Sequence, residues 1–165
     1  MKRISKNTEE TRQIAEKFLS EIEKNRSLSN SLEDSNNKLK DLCIFKSACI
    51  VCLFGDLGTG KTTFTKSVAK KLGVKKMVSS PTFLIMKKYN ITGKNFKRIF
   101  HFDAYRLKDE NELLNLGWKE IITDPFNLIF IEWPENVIKA IPQKHHEVLI
   151  SHISGEQRLF EIKIY

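Results

Sequence analysis

The stretch GDLGTGKTT, at residues 55–63, constrains the fold more than any other part of this sequence. It matches the pattern G-x-x-x-x-G-K-[ST] from Gly55 to Thr62. The apolar run ACIVCLF precedes the pattern at residues 48–54, and the amphipathic segment KTTFTKSVAKKLG begins inside it. A buried strand, a glycine-rich loop and a helix in this order predict a loop that binds phosphate groups.

The chemistry of the loop follows from its residue types. Glycines at positions 55, 58 and 60 let the backbone curl so that its N–H groups point inward. The N-terminus of the following helix adds partial positive charge. Lys61 is placed to reach the β- and γ-phosphates of a nucleotide, and Thr62 offers a hydroxyl to Mg²⁺. We therefore expect a nucleotide site with a metal ion beside it.

The order of the elements predicts the fold class. The pattern indicates a helix, a polar linker and then a core in which strands and helices follow one another. The predicted strands are 48–54, 80–89, 96–103, 128–133, 145–153 and 158–165, and the predicted helices are 8–24, 61–73 and 109–117. We expect an α/β or α+β sandwich with a partly parallel sheet. Its predicted parts are an N-terminal helix at 1–24, a polar linker at 25–40 and a nucleotide-binding core at 48–165.

Two of the predicted strands end in acidic residues, RIFHFD at Asp103 and NLIFIE at Glu132. Ligands of α/β proteins bind at the carboxyl edge of the sheet, where both strands end. Mg²⁺ beside a nucleotide needs a second anchor besides the loop hydroxyl, usually a carboxylate at that edge. One such ending is equally typical of a helix cap or a surface acid, but two in one small sheet favour a site.

The composition limits the cellular setting. The net charge of +8 and the pI of about 9.4 leave contact with nucleic acid or an acidic protein open. The charge comes mostly from lysines in short, spread clusters, which are typical of a solvated face. No apolar run approaches the ~18 residues of a membrane-spanning helix, and the N-terminus lacks the apolar segment of an export signal. We therefore expect a cytoplasmic protein that does not contact the membrane.

The cysteines do not indicate a metal site. There are three, Cys43, Cys49 and Cys52, and the last two form a C-x-x-C pattern inside the apolar run. Residues three apart on a strand point to opposite faces, so this pair is not placed to grip one metal ion. A second Cys or His pair with zinc-site spacing does not lie nearby. We interpret these cysteines as core residues of a protein from a reducing compartment.

Five motifs occur in a characteristic order: GDLGTGKTTF, SPTF, HFDAYRL, ELLNLGWKE and IEWPE. Together they resemble the TsaE family, also called YjeE, the small bacterial P-loop ATPases needed for threonylcarbamoyladenosine modification of tRNA. The resemblance runs from about residue 8 to 164, and the joint set of motifs is far more specific than the phosphate loop alone. The sequence departs from the family at Thr59, where alanine is frequent, and at 25–47, which is longer than usual.

The resemblance implies an α/β fold, a single P-loop NTPase-like domain with a mixed, partly parallel sheet flanked by helices. It also implies a site for ATP or ADP and Mg²⁺. The residues that it assigns to the nucleotide phosphates are Leu57, Gly58, Thr59, Gly60, Lys61, Thr62 and Thr63. Thr62 and Glu132 would bind Mg²⁺. Asp103 would position or activate the attacking water, with Lys61 as the other catalytic residue.

The resemblance also implies residues around the phosphates and partners beyond them. Thr82, in SSPTF, would be the hydroxyl of a switch that senses the γ-phosphate, and the alternative is a turn fixed by Pro81. Trp133 belongs to the family's site signature, with simple packing as the alternative, and Thr8 and Arg158 would flank the adenine. The implied partners are TsaD, which carries out the threonylcarbamoyl transfer, and TsaB. tRNA would be reached indirectly, through that complex.

Two other functions stay open from the sequence. A small-molecule or nucleotide kinase shares the phosphate loop and the acids, but it needs an acceptor pocket and a lid, and no insertion resembles a lid. A nucleic-acid-binding module would rest on the net charge of +8. Phosphoryl transfer usually needs several cations, and arginines occur only at 3, 12, 26, 98, 106 and 158, so we expect slow hydrolysis without a partner.

Overall fold

Seven strands form one sheet in the part of the chain that the computed structural model describes, residues 1–33 and 47–165. Side chains are described for residues 1–27 and 47–165. The strands are β1 (Lys2–Ser5), β2 (Cys49–Phe54), β3 (Met86–Asn90), β4 (Arg98–Asp103), β5 (Asn127–Glu132), β6 (His146–Ser154) and β7 (Gln157–Lys163). The helices are α1 (Thr8–Glu33), α2 (Lys61–Lys71), α3 (Glu110–Leu114) and α4 (Trp118–Thr123), and 3₁₀ segments cover Ala104–Arg106 and Pro134–Ala140.

The sheet is mixed, with a parallel centre and antiparallel edges. Its order is β1-β7-β6-β2-β5-β4-β3. Strand β5 runs parallel to β2 and β4, and β6 runs parallel to β2. The pairs β1–β7, β6–β7 and β3–β4 are antiparallel. The predicted α/β class with a partly parallel sheet is confirmed, and the predicted closing hairpin is β6–β7.

Helices cover both faces of the sheet and create two apolar cores. One face packs against α1 and α2 through residues such as Phe18, Phe64 and Phe130. The other face packs against α3, α4 and the second 3₁₀ segment, and there the rings of Phe102 and Trp118 meet edge to face at 5.5 Å. Cover on both sides explains why β2 and β5 are continuous apolar runs.

The two cysteines of β2 point to opposite faces, as their spacing predicts. Cys49 packs in the core beneath α1 and α2, and Cys52 packs in the opposite core. Burial raises the pKa of each thiol to about 12, so both stay protonated at neutral pH. Cys43 lies outside the described residues. Within those residues no group of three or more His, Cys, Asp or Glu is placed to hold a metal ion.

Strand β1 stands where the sequence predicts no strand. It pairs antiparallel with β7, so that Ser5 lies opposite Arg158. The chain then turns into α1 at Asn7, whose side-chain oxygen accepts a hydrogen bond from the backbone N–H of Glu10 over 2.8 Å. This is an N-cap, and the helix begins at Thr8 as predicted. Four residues carry too short a pattern for a strand to be recognised without its partner.

Helix α1 is longer than predicted. The sequence predicts a polar linker at 25–40, but the helix continues to Glu33, so the first part of that linker is helical. Arg26 anchors the extension, because its Nη2 donates a hydrogen bond to the carbonyl of Pro125 over 2.6 Å. A contact between residues 99 positions apart leaves no local trace in the sequence. Residues 34–40 of the predicted linker lie outside the described residues.

The predicted helix at 109–117 is shorter in the structure, and a second short helix follows it. The first begins as predicted, because Asp109 accepts hydrogen bonds from the backbone N–H groups of Asn111 and Glu112. Helix α3 ends before Gly117, whose φ of 77° turns the chain into α4 at Trp118. Among the described helices none is long and apolar enough to cross a membrane.

Candidate functional site

The loop between β2 and α2 has the backbone that its glycines predict. Gly55, Gly58 and Gly60 have φ values of 129°, 78° and 108°, which side chains rarely adopt. Gly55 also lies against β6, where an added Cβ atom would be 2.1 Å from the carbonyl oxygen of Ile150. Helix α2 begins directly after Gly60, so its free N–H groups lie at the loop. Backbone curvature and helix terminus together make a phosphate cradle.

Thr59 fits the loop without displacing these glycines. Its side chain is buried, and its hydroxyl donates a hydrogen bond to the carbonyl of Asp56 over 2.9 Å. Its backbone N–H donates to the same carbonyl over 3.3 Å. Threonine therefore closes a small turn inside the loop. Leu57, by contrast, is 85% exposed, so its side chain points away from the protein.

Lys61 folds back over the loop from the first turn of α2. Its ammonium group donates hydrogen bonds to the carbonyls of Gly55 and Asp56, the latter over 2.8 Å. It also lies 4.1 Å from the centre of the Trp133 ring, a cation–π contact. Burial lowers the pKa of Lys61, against the opposite effect of Glu132 and other acids nearby. A buried ammonium group held by carbonyls is placed to exchange them for phosphate oxygens.

Thr62 and Glu132 meet where α2 begins and β5 ends. Thr62 Oγ1 donates a hydrogen bond to Glu132 Oε1 over 2.7 Å. His101 Nε2 contacts the same carboxylate oxygen, also at 2.7 Å. Glu132 is 4% exposed, so its carboxylate is shielded by the protein on most sides. The two residues predicted to bind the metal ion are thus brought together.

The donors at this point fit Mg²⁺. That ion prefers oxygen ligands and is usually held by one or two protein oxygens, with phosphate and water completing its shell. The Thr62 hydroxyl and the Glu132 carboxylate supply two such oxygens within hydrogen-bond distance of each other. These are the two residues of the site that would hold Mg²⁺ beside a phosphate in the loop.

Asp103 ends β4 directly opposite Glu132 in the β4–β5 ladder. Its Oδ2 accepts hydrogen bonds from the hydroxyls of Thr82, over 2.6 Å, and Ser80, over 3.2 Å. Its Oδ1 accepts from the backbone N–H of Tyr105 over 3.0 Å and so caps the first 3₁₀ segment. The structure joins two predicted site residues, Thr82 and Asp103, by a direct hydrogen bond.

The segment SSPTF is held from β3 as well as from Asp103. The ammonium group of Lys87 donates hydrogen bonds to the hydroxyl of Ser79, over 2.5 Å, and to the carbonyl of Ser80, over 3.1 Å. Ile85 follows the segment with a φ of 63°, a strained value for a β-branched residue. Its carbonyl accepts from the backbone N–H of Asp103 over 2.9 Å, which stabilises that conformation.

Trp133 follows Glu132 in an unusual backbone conformation. Its φ and ψ are 58° and 48°, a left-handed conformation that bulky residues seldom adopt. Its ring lies 5.1 Å from the ring of Tyr105, packs against the second core, and carries the ammonium group of Lys61 over its face. The strained backbone therefore aims the indole at the loop. The indole therefore contacts the lysine of the loop as well as packing against the core.

The residues predicted to flank the adenine lie on neighbouring elements, because β1 ends at Ser5 opposite Arg158 and leads into α1 at Thr8. Thr8 and Thr63 line one shallow groove of about 250 Å³, between the start of α1 and the first turns of α2. Arg158 lies on β7, where its guanidinium donates to the carbonyls of Gly155 and Gln157. The structure thus places Thr8 beside the helix of the loop, while it ties the Arg158 side chain to its own hairpin.

Two residues of the site are missing from the sequence-based prediction, His101 and Lys87, whereas Ser80 lies in the segment SSPTF that the prediction singled out. A signal existed for His101, because it lies two residues before Asp103 on a strand and therefore on the same face. Lys87 gave no signal, since its contacts depend on how SSPTF folds onto β3 and β4.

Comparison with known proteins identifies relatives of this chain. The family described as "Threonylcarbamoyl adenosine biosynthesis protein TsaE" matches residues 5–160. A curated relative from Bacillus subtilis, named "tRNA threonylcarbamoyladenosine biosynthesis protein TsaE", is 36% identical over 113 residues, which are 68% of this chain and 68% of the relative. A relative of the same name from Haemophilus influenzae is 42% identical over 101 residues, 59% of this chain and 60% of the relative.

A solved structure shares the fold. The crystal structure of Bacillus subtilis YdiB matches with a TM-score of 0.63 and 27% sequence identity. The match covers 97% of this chain and 82% of that chain, so it includes the loop, the sheet and the helices on both faces.

Proposed function

Because this chain belongs to the TsaE family, we propose that it is a Mg²⁺-dependent ATPase that supports N6-threonylcarbamoyladenosine modification of tRNA. It acts in this proposal as an accessory to the TsaB–TsaD complex in the cytoplasm. The observation that carries the proposal is the 2.7 Å hydrogen bond from Thr62 Oγ1 to Glu132 Oε1. It puts a loop hydroxyl and a strand carboxylate within reach of one metal ion, directly beside a phosphate cradle.

Binding of ATP or ADP uses groups that the fold holds ready. The loop backbone and the first N–H groups of α2 bind the phosphate oxygens. Lys61 exchanges the carbonyls of Gly55 and Asp56 for oxygens of the β- and γ-phosphates. Thr62 and Glu132 hold Mg²⁺, which neutralises charge on the phosphate oxygens when it is bound.

Hydrolysis needs a residue that orients water, and Asp103 has that role in our proposal. In this structure its Oδ2 is occupied by the hydroxyls of Thr82 and Ser80. Thr82 would therefore release Asp103 when its hydroxyl turns to the γ-phosphate. The hydrogen bond between Thr82 and Asp103 thus links recognition of the γ-phosphate to the activation of water.

We propose that hydrolysis depends on a partner, because the sequence supplies few arginines, at 3, 12, 26, 98, 106 and 158. Arg106 follows Asp103 closely in the chain, but its guanidinium lies over the exposed ring of Phe83, 4.6 Å from the ring centre. An arginine supplied by a partner raises phosphoryl-transfer rates by ~10³–10⁵ in other systems. TsaD or TsaB would provide such a contribution in the assembled complex.

Reconstitution tests this function. ATP hydrolysis and tRNA modification are measured with TsaB and TsaD, in the presence and absence of this chain. We expect repeated rounds of modification only when the chain and ATP are both present, and we expect little hydrolysis from the chain alone. Modification that is independent of the chain would contradict the accessory role, and fast hydrolysis by the pure chain would contradict dependence on a partner.

Two further assays separate the alternatives. A kinase would transfer phosphate to nucleosides or sugars, whereas the proposed ATPase releases it to water. A nucleic-acid-binding module would bind tRNA tightly as an isolated chain, with affinity that falls steeply with salt. Absence of a tRNA shift at low salt would exclude the second alternative.

A further inference from the structure

His101 is the buried residue of the site to which the proposed function gives no role. It lies on β4, its side chain is 0% exposed, and its Nε2 is 2.7 Å from Glu132 Oε1. Its other ring nitrogen, Nδ1, is buried and makes no hydrogen bond to any described residue. One nitrogen is therefore engaged by a residue of the proposed metal site, and the other is not.

Packing alone does not account for a histidine at this position. A buried polar atom without a partner destabilises the folded state, because it has lost its hydrogen bonds to water. Phenylalanine or leucine would fill the same space without that cost. The hydrogen bond of Nε2 must therefore contribute more than the buried, unpartnered Nδ1 costs. Among the described residues, the only hydrogen bond identified for Nε2 is the one to Glu132.

The direction of this hydrogen bond follows from its partner. A carboxylate oxygen accepts and does not donate, so Nε2 carries the hydrogen. The bond therefore assigns a hydrogen to Nε2 of His101. His101 is also too deeply buried to activate water itself, since none of its surface is exposed.

We propose that His101 is a positioning residue: its Nε2–H holds the Glu132 carboxylate in the orientation in which it meets the metal ion that accompanies the nucleotide. The inference rests on the proposed function, because it takes Thr62 and Glu132 as the residues that bind Mg²⁺. The last torsion of a glutamate side chain has broad preferences, so hydrogen bonds must fix it. Thr62 is itself an expected ligand, and His101 therefore holds Glu132 from outside the set of metal ligands.

The sheet makes His101 a rigid support. Asp103 lies opposite Glu132, and His101 lies opposite Phe130, two positions earlier on each strand. His101 is therefore the diagonal neighbour of Glu132 on the same face. Strand β4 is paired on both sides, with β5 and with β3, where Lys87 lies opposite His101. A donor on a strand held from two sides moves little.

Three variants test this role: His101→Leu removes the donor, His101→Gln places an amide N–H near the position of Nε2, and Glu132→Ala removes the acceptor. ATP binding is measured by calorimetry over a Mg²⁺ titration and again in EDTA, with the full chain in each case. We expect His101→Leu to raise the Mg²⁺ concentration for half-maximal binding by ~10-fold or more, with binding in EDTA unchanged. His101→Gln should stay within about threefold of the wild type because it retains a donor.

A double variant separates positioning from general damage. If His101 acts through Glu132, His101→Leu should change nothing further in a Glu132→Ala background. An equal loss of ATP binding in Mg²⁺ and in EDTA, or additive effects in the double variant, would overturn the inference. If His101→Leu fails to fold, His101→Asn replaces it, because its shorter amide donor falls short of Glu132 and should give the same loss.

ATP binding by the wild type distinguishes failure of the proposed function from failure of the role given to His101. If this binding does not depend on Mg²⁺, the proposed function fails together with the inference. If it depends on Mg²⁺ and His101→Leu shows the same dependence, the inference alone fails. Mg²⁺ dependence in the wild type with a selective shift in His101→Leu supports both.

Discussion

Thr62 Oγ1 and Glu132 Oε1 lie 2.7 Å apart although 70 positions separate the two residues in the chain. The contact exists because β2 and β5 are neighbouring parallel strands, with Leu53 paired to Glu132. The loop and α2 follow from the end of β2, so the first turn of α2 begins where β5 ends. The pairing of two strands, rather than a local motif, therefore assembles the proposed metal site.

Removing the carboxylate should weaken only the metal-dependent part of nucleotide binding. We expect Glu132→Ala to lower ATP affinity in Mg²⁺ by ~10-fold or more, and to leave affinity in EDTA close to that of the wild type. The measurement is calorimetry under the two conditions. Glu156→Ala is the matched control, since that acid is exposed in the turn between β6 and β7. Equal effects of the two variants would show that Glu132 is not a metal ligand.

Lys61→Ala should abolish most nucleotide binding. Lys61 is 4% exposed and its ammonium group donates into the loop, so water cannot easily replace the group that the variant removes. Lys71→Ala is the control, because Lys71 is exposed at the other end of the same helix. Binding of ATP measured by calorimetry should be unaffected in Lys71→Ala. Near-normal affinity in Lys61→Ala would mean that the lysine serves the loop carbonyls only.

Asp103→Ala should spare ATP binding and abolish hydrolysis in the reconstituted complex. It should also reduce the free energy of unfolding by about 1–2 kcal/mol, because Asp103 caps a 3₁₀ segment and accepts from two hydroxyls. Phosphate release and chemical denaturation measure the two effects separately. Thr82→Val leaves the carboxylate in place and serves as a comparison. Normal hydrolysis by Asp103→Ala would remove this residue from the mechanism.

Two glycines of the loop should respond differently to the same substitution. Gly55→Ala forces a Cβ atom to 2.1 Å from the Ile150 carbonyl, whereas a Cβ atom at Gly58 meets nothing within 4 Å. Gly58→Ala should therefore cost about 1 kcal/mol, from its positive φ alone. Gly55→Ala should cost at least about 3 kcal/mol, because strands must also move. Thermal and chemical unfolding check the comparison, and equal losses would contradict it.

His146 should make the folded state sensitive to mild acid. Burial lowers the pKa of His146 to about 4, from an ordinary value of 6.5, and its Nδ1 accepts a hydrogen bond from the N–H of Tyr165. Between pH ~6.5 and about pH 4, His146 therefore binds a proton in the unfolded chain but not in the folded chain. The free energy of unfolding should fall over that interval, by on the order of 2 kcal/mol.

Chemical denaturation at pH 7 and pH 4.5 measures this loss. His146→Gln removes the titrating group and should flatten the profile. His152→Gln is the control, since His152 is exposed, and it should retain the wild-type slope. Identical slopes in His146→Gln and the wild type would show that other groups cause the acid sensitivity.

Local patterns in the sequence predicted the parts of the site that depend on local chemistry. The loop glycines, the N-cap at Asp109 and the apolar runs of β2 and β5 each follow from neighbouring residues, and the structure contains them. The ends of two strands in Asp103 and Glu132 were enough to place both acids at one edge. These features can be predicted from which faces of a strand or helix are buried and from where the backbone turns.

Contacts between distant segments carried no such pattern. Strand β1 is defined by its pairing with β7, and the extension of α1 by the hydrogen bond from Arg26 to Pro125. The anchoring of SSPTF by Lys87 depends on β3 lying beside β4. Each of these contacts can be predicted only when the tertiary arrangement is known, so residue types and spacing alone do not indicate it.

The pairing of Asp103 with Glu132 on one rung of the β4–β5 ladder has a consequence for how such a chain tolerates insertions and deletions. The connection at 104–126 can gain or lose residues without moving either acid, because hydrogen bonds between strands set their spacing. Deletion of Phe102 would instead put His101 and Asp103 on opposite faces of the sheet. Length variation should therefore accumulate in that connection and be excluded from the strand.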